Sequence, residues 1–404
     1  MAEKKRIGIT GATGFVGCRL AERLTMSGEY EVVSPVRRFS GSGLARLARL
    51  DVQIVQADLL NRTALRRAFE GCAAVVHCAY GRSGSADERF RVTVEGTENV
   101  LSAAREAGVG RVVHLSTAAV HATEGRDRVD EQTPLMAKPG PYERMKIVSE
   151  EVVWRHHREH GLPTVVLRPT LIYGPYGRRW SVAVVEEIRA GAVLVDGGRG
   201  LANLVYVDNL VDSIILAIET GKGDGQAFLV VDDECPSWRA VYEAYAQFVP
   251  GAPPLRDLSV KEIEAIRRER RPGFLRGAIL NPLAVLPRIV RAATRSPEVR
   301  AGLREVSWVQ GLVSAFPKAT ERFTRSQPND EVPEELSGKR AAEPPLRIPD
   351  AQSAAFLAAR VRYDNHKLRE VLQWTPRIDL REGLRRTGAW LAYQRLAGDR
   401  DTVR

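Results

Sequence analysis

The sequence predicts an α/β fold: a doubly wound parallel sheet with a smaller, discontinuous C-terminal part. Two observations carry that prediction. Short apolar runs alternate with stretches of helical period from residue 7 to residue 168, and strands alternating with helices imply a parallel sheet covered on both faces. A glycine-punctuated turn joins the first run to the first helix.

That first stretch, residues 7–20, reads IGITGATGFVGCRL. Ile7 and Ile9 stop at Gly11, Gly14 and Gly17 follow, and a helical pattern starts at Phe15. Strand, glycine turn and helix in this order bind a dinucleotide. Gly11 permits the tight turn, Gly14 lets the backbone approach a pyrophosphate, and Gly17 lets the helix pack closely on the strand. The pyrophosphate then sits at the free N–H groups of the helix N-terminus.

Residues 31–36 (EVVSPV) read as the second strand, with Pro35 suiting its end. An acidic residue here would bind a ribose 2′-hydroxyl, but Arg37 and Arg38 follow Val36. A guanidinium suits a 2′-phosphate by charge and by its fork of donors, so NADP is favoured over NAD, with Arg37 as the contact.

Residues 52–56 form a third strand ending at Asp58-Leu59, and residues 61–70 a short helix. Residues 73–77 (AAVVH) are a fourth strand running into Cys78-Ala79-Tyr80, residues 88–107 are helical, and residues 111–116 (RVVHLS) are a fifth strand leading to Thr117. A loop rich in charge and proline, 124–140, precedes Pro141, which starts a helix running to about His160. Residues 164–168 (TVVLR) are a sixth strand. Right-handed crossovers place all strand C-termini on one edge, where ligands bind.

Composition bounds the class. With 404 residues, 44% hydrophobic and 27% charged, the chain is that of a soluble globular protein of two or three domains. The start, MAEKKRIGIT, has no apolar segment of a signal peptide. Cys18, Cys72, Cys78 and Cys235 lack metal-ligand spacing and read as reduced core thiols of a cytoplasmic protein. No metal is expected. The net charge of +10 is dispersed, densest over 267–304, and comes with no nucleic-acid-binding motif. It fits anionic substrates or peripheral contact with an anionic membrane, and a small-molecule substrate rather than nucleic acid.

Tyr142 and Lys146 are four apart on the predicted helix, so both side chains share one face. A phenol of pKa about 10 is a poor base at neutral pH, and bringing it towards 7 takes roughly 4 kcal/mol. Lys146 and an oxidised nicotinamide, both cations, would supply it. Tyr142 then exchanges a proton with a carbinol as hydride moves, while Thr117 holds the substrate oxygen.

With these pieces in place the chain resembles the extended short-chain dehydrogenase/reductase family, also called the NAD(P)-dependent epimerase/dehydratase family. The matching motifs are Gly11-x-x-Gly14-x-x-Gly17, Asp58-Leu59, Val76-His77-Cys78-Ala79, Gly96-Thr97-x-Asn99-Val100, Ser116-Thr117, Tyr142-x-x-x-Lys146, Arg168-Pro169 with Tyr173-Gly174-Pro175, Val207-Asp208-Asn209, and a tail from Asp364 to Pro376. The resemblance implies a catalytic triad of Thr117, Tyr142 and Lys146. It implies cofactor contacts from Thr13, Phe15, Val16, Asp58, Leu59, Cys78 and Ala79 besides the glycines, and places Asp58 near the adenine. It implies substrate contacts from Tyr80, Thr117, Tyr173 and Arg178, and a homodimer through a four-helix contact that includes the Tyr142 helix.

Departures select a branch. Ala118 and Ala119 follow Thr117 where family dehydratases and decarboxylases carry acids, and methyl groups cannot move protons. Ala202-Asn203-Leu204 replaces the Arg-Asp-aromatic run of sugar-nucleotide epimerases, while Val207-Asp208-Asn209-Leu210 is similar to reductases and 3β-hydroxysteroid-type dehydrogenases. The expected activity is an NAD(P)-dependent interconversion of a secondary alcohol and a ketone on a sugar-like or polycyclic, lipid-like substrate. The alternatives are a nucleotide-sugar epimerase with retained NAD and a non-catalytic NAD(P)-binding scaffold.

The domain reading gives residues 1–169 to a Rossmann-type NAD(P)-binding domain, with 203–220 returning to it. Residues 170–202 and 221–404 form the substrate-binding part. In that part, 226–231 reads as a strand and 238–248 as a helix whose Trp238, Tyr242 and Tyr245 are core. A basic and apolar insert over 251–349 is expected to act as a lid, with membrane-surface contact as the alternative. Its apolar run, 274–290, is too short and interrupted to span a bilayer, and 326–349 reads as a linker. His156, His157 and His160 are expected to be solvated.

Overall fold

β-Branched runs bounded by turn residues form the strands, and the structure, a computed structural model, describes residues 4–270 and 348–394. In chain order come β1 (Lys5–Thr10), α1 (Phe15–Ser27), β2 (Tyr30–Val36), α2 (Ser42–Leu47), β3 (Val52–Gln56), α3 (Arg62–Ala68), β4 (Ala74–His77), α4 (Ala86–Glu106), β5 (Arg111–Leu115), β6 (Arg128–Val129), α5 (Pro141–His160), β7 (Thr164–Pro169) and β8 (Leu171–Tyr173). They are followed by α6 (Ala183–Arg189), β9 (Val193–Val195), β10 (Leu204–Tyr206), α7 (Val207–Glu219), β11 (Gln226–Val230), α8 (Trp238–Ala246), β12 (Arg256–Leu258) and α9 (Val260–Arg270). After residue 348 come α10 (Ala351–Ala358), β13 (Arg362–Tyr363), α11 (His366–Leu372) and α12 (Leu380–Tyr393).

Seven strands make one parallel sheet in the order β11-β7-β5-β4-β1-β2-β3. The order reverses between β1 and β4, where a doubly wound sheet opens its ligand crevice. Both faces are covered. Leu20 and Leu24 of α1, Leu210 and Ile214 of α7 and Leu368 of α11 pack with Ile7, Val113 and Val165 on one side. Phe69, Val100, Leu101, Val152 and Val153 pack with Val75, Val112 and Val166 on the other.

Within residues 203–220, expected to return to the NAD(P)-binding domain, the strand β10 does not join this sheet. Pro169 has no N–H to donate and closes β7, and β8 then pairs with β10 in a separate two-stranded sheet. Val205 of β10 and the following helix, α7, still pack into the core of the main sheet. β11, assigned above to the substrate part, is instead the edge strand of the main sheet. Its exposed backbone is capped by side chains: Leu229 N donates to Glu131 Oε1 (2.7 Å), and Lys367 Nζ donates to Ala227 O (3.0 Å).

The C-terminal segment is fastened through Asn209, which is fully buried at the start of α7. Its Nδ2 donates to Asp232 Oδ1 and Ile378 O, both at 2.8 Å. Its Oδ1 accepts from Arg377 N and Ile378 N, both at 3.0 Å, and Trp374 Nε1 donates to its carbonyl at 2.9 Å. Asn209 and Trp374 thus explain two of the motifs singled out in the sequence. A second core gathers Tyr173, Val184, Ile188, Leu391 and the stripe Trp238, Tyr242 and Tyr245, all buried as expected.

The chain divides into two compact units, one of Met1–Val260 with Pro349–Arg404 and one of Lys261–Ile348. Of the second, helix α9 is described. The apolar run 274–290 and all but the last two residues of the expected linker 326–349 lie outside the described residues. No helix among the described residues is long and apolar enough to cross a membrane.

Candidate functional site

The glycine turn does what its spacing requires. Gly11 has φ +74°, and a Cβ there would lie 2.8 Å from Ala79 N. A Cβ on Gly17 would collide with the Gly11 carbonyl oxygen and lie 2.9 Å from Ala12 Cα. Gly14 is the N-cap of α1, makes no side-chain cap, and is followed by no acid in the first turn. The open N–H groups and the positive end of a 13-residue helix therefore face the turn unneutralised. This cradle fits the pyrophosphate of a dinucleotide.

The neighbouring strand ends converge on it. Cys78 N donates to Thr10 O at 3.2 Å, and Ala79 N to Thr10 Oγ1 at 3.4 Å, so Cys78 and Ala79 lie against the turn. Ala57 N donates to Val36 O (2.9 Å), which sets Asp58 beside the end of β2 and the exposed Arg37. Gly96 of α4 leaves room for Leu59, and Asn99 Nδ2 donates to Leu59 O (3.0 Å). Thr97 Oγ1 donates to Thr93 O at 2.7 Å and so accepts from His77 Nε2 (3.0 Å), leaving His77 Nδ1 to accept from Thr10 Oγ1 at 2.7 Å. Burial first, and then the Lys146 charge, hold that imidazole down at about 3.

Two contacts gather at the end of β5: the Thr117 hydroxyl touches the Tyr142 phenol, and Lys146 reaches the Leu115 carbonyl. Thr117 Oγ1 caps a single helical turn, 118–120, accepting from Ala119 N at 3.3 Å. Pro141 opens α5, as expected. Lys146 is 4% exposed, and its Nζ donates to Leu115 O at 2.8 Å. Burial lowers its ammonium to about 8, against the raising influence of Cys78 and Glu150.

Tyr142 presents 38% of its surface to solvent. Even so, desolvation of its phenol, with the neighbouring Tyr80, pushes the pKa up to about 12, and contact with the Thr117 hydroxyl pulls it down. The expectation set the lowering of this phenol on Lys146 together with an oxidised nicotinamide; Lys146 is not among the groups that lower it here. The lysine is buried, with one of its three N–H groups held by the Leu115 carbonyl.

Other predicted residues fare differently. Tyr80 joins the site, its ring 5.2 Å from Lys146 Nζ. Tyr173 does not: it is fully buried, with its hydroxyl against Gly383 and without a hydrogen-bond partner. A substrate has no access to it, because α12 covers the β8–β10 pair. Arg178 is exposed in the helical turn after Gly177, whose own neighbour is the Phe15 ring.

His156 is buried, not solvated, because α5 packs on α4 through that face. Its Nε2 lies 3.0 Å from Glu98 Oε1. No cluster of three metal-ligating side chains occurs among the described residues. All four cysteines are free, Cys18 and Cys72 buried and Cys78 and Cys235 half-buried.

Sequence reading missed a buried polar chain next to the triad: Ser116, Glu150, Arg168 and His121. The i, i+4 spacing of Lys146 and Glu150 was the available signal.

A glycine cradle at the switch point of a parallel sheet defines a dinucleotide-binding α/β protein. Residues 7–230 match the NAD dependent epimerase/dehydratase family, and the chain belongs to that family. Over 230 residues it is 35% identical to a 4-hydroxy-2-methyl-3-oxo-4-farnesyl-3,4-dihydroquinoline-1-oxide ketoreductase of Stigmatella aurantiaca, covering 55% of this chain and 67% of that one. Over 242 residues it is 30% identical to a 2-alkyl-3-oxoalkanoate reductase of Shewanella oneidensis, covering 56% and 61%. The match thus spans about two thirds of these relatives. The fold is also that of the dTDP-glucose 4,6-dehydratase DesIV of Streptomyces venezuelae, solved with NAD bound (TM-score 0.64, 21% identity, 96% of this chain and 98% of that one). The chain is an NAD(P)-dependent oxidoreductase.

Proposed function

We propose that this enzyme reduces a ketone to a secondary alcohol on an apolar, alkyl- or ring-bearing substrate, using NADPH. The observation that supports the reading is the contact of the Thr117 hydroxyl with the Tyr142 phenol at the strand end to which buried Lys146 also reaches, with Ala118 and Ala119 where an elimination would need acids. The two relatives named as keto-group reductases support the substrate class.

NAD(P)H, when bound, supplies the hydride. Thr117 holds the carbonyl oxygen by its hydroxyl. Tyr142 gives its phenolic proton to that oxygen as negative charge develops there. A phenol pushed up to about 12 stays protonated across the physiological range, which suits an acid in the reducing direction. Lys146, as an ammonium, stabilises the phenolate left behind and hydrogen-bonds the nicotinamide ribose. Arg37 pairs with the 2′-phosphate.

The test is a titration of purified protein with NADPH and NADH, after checking for carried-over cofactor, followed by NADPH oxidation with a 2-alkyl-3-oxoalkanoate ester. Exchangeable NADPH binding, turnover of the ester and a loss of NADPH preference in R37A are expected. Tightly retained NAD with turnover of a UDP-hexose instead of the ester overturns the reading in favour of an epimerase. Binding without turnover of any ketone revives a scaffold.

A further inference from the structure

Four buried polar side chains beside the triad have no part in the chemistry above. Glu150 is 1% exposed and lies one turn beyond Lys146 on the same face of α5. Its Oε1 accepts from Ser116 Oγ and from Arg168 Nε (3.1 Å), and its Oε2 from the Arg168 fork at 2.5 Å. Arg168, near the end of β7, extends Nη1 to His121 Nε2 at 3.1 Å. His121 Nδ1 faces Thr133 O at 2.7 Å. A carbonyl only accepts, so Nδ1 carries the proton and Nε2 accepts from Arg168. The imidazole is therefore neutral. Burial first, and then the Arg168 charge, lower its pKa.

A buried ion pair is weak as a source of stability, because desolvation offsets its attraction. Its position suggests another role. Ser116 precedes Thr117, His121 follows the turn that Thr117 caps, and Glu150 follows Lys146. The arginine thus ties the strand end that carries Thr117 to the helix that carries Tyr142 and Lys146.

Lys146 is faced by His77 and Cys78 from β4 and the loop after it, Tyr80 from that same loop, His114 from β5, and Glu150 from its own helix α5. Burial keeps both imidazoles neutral by lowering them and keeps the Cys78 thiol neutral by raising it to about 12. Glu150 is the carboxylate among these groups.

We propose that Ser116, Glu150, Arg168 and His121 form a positioning network, and that the Glu150 carboxylate is the countercharge that keeps Lys146 an ammonium. The second half of this proposal concerns the lysine alone; its catalytic consequence rests on the function proposed above.

The chain contains nine lysines, so the full-length protein labelled with 13Cε-lysine gives a tractable NMR titration, in which K146R identifies the Lys146 signal. In E150Q the Lys146 midpoint is expected to fall by about one pH unit. E150Q leaves Arg168 buried without its partner, so E150Q/R168Q, which removes the arginine charge as well, is measured beside it and is expected to show a smaller fall, because the lost cation had itself disfavoured the ammonium. The basic limb of the pH profile for NADPH-dependent ketone reduction should move down with the midpoint. S116A keeps the carboxylate, so its midpoint should stay in place while kcat falls. An unmoved Lys146 midpoint in both Glu150 variants overturns the proposal. So does a rate lowered equally at every pH, which is the mark of a merely structural role. A shifted midpoint in a protein that turns over no ketone leaves the countercharge standing and removes the catalytic reading.

Discussion

Tyr80 and Tyr142 meet edge to face, with ring centroids 6.2 Å apart and planes at 66°. A second phenol thus stands beside the one proposed as the proton donor, and it is among the groups that raise it. Y142F should cost about 10²–10⁴ in ketone reduction, with NADPH affinity within about twofold of the parent by fluorescence titration, a tolerance allowed by ordinary surface substitutions. Y80F should let Tyr142 ionise at lower pH, read as a downward shift in the ultraviolet phenolate titration. A Y142F enzyme of undiminished rate would remove Tyr142 from the mechanism.

Lys146 weakens the fold that holds it. Its pKa is about 8 in the folded chain against an ordinary 10.5. Between those values the unfolded chain binds more protons, so stability climbs with pH there, and the penalty is present in full below about 8. K146M should therefore be more stable at pH 7, by about 1–3 kcal/mol after allowing for the lost hydrogen bond to Leu115. Urea unfolding at pH 7 and pH 10 measures this. The gain should shrink at the higher pH, and a K146M less stable at pH 7 contradicts the argument.

Gly17 admits no methyl group, because a Cβ would collide with the Gly11 carbonyl oxygen and crowd Ala12 Cα at 2.9 Å. G17A should push α1 away from the glycine turn and lose at least about 1–3 kcal/mol of stability, as overpacking does. Cofactor binding should weaken more than tenfold in calorimetry. Native affinity in a folded G17A protein would show that the turn is not the cofactor's cradle.

On the edge strand, Glu131 is the side chain that satisfies the Leu229 N–H. E131A should destabilise the chain by about 1–3 kcal/mol by leaving a backbone donor without its partner. E131Q keeps an accepting oxygen and should recover most of that loss. Equal losses in the two variants would assign the effect to charge rather than to the hydrogen bond.

Local pattern made the sheet legible. β1, β5 and the helix opened by Pro141 each declare themselves within a few residues, and the glycine turn declares its own geometry. What stayed hidden depends on partners distant in sequence. Three apolar residues at 204–206 cannot say which strand they pair with. The histidines of α5 read as solvated until Glu98 of α4 is placed against His156. Tyr173 sits in a family motif, but its burial under α12 comes from more than 200 residues further on, where the Gly383 backbone closes against its hydroxyl. The chain from Ser116 to His121 joins the end of β5 to α5 and β7 through links that are 34, 18 and 47 residues long, and only the placing of Glu150 one turn beyond Lys146 can be seen within one helix.

The capping of β11 has a consequence in time. Lys367 reaches Ala227 across 140 residues of sequence, and Asn365 reaches Val231 across 134. During synthesis the strands of the sheet emerge well before these side chains do, at about 5–20 residues per second. For several seconds, then, the nascent chain carries an open β-edge of the kind that recruits other strands. The ribosome-bound chain thus shows a β-edge that the finished fold covers, and it does so until Asn365 and Lys367 have left the exit tunnel.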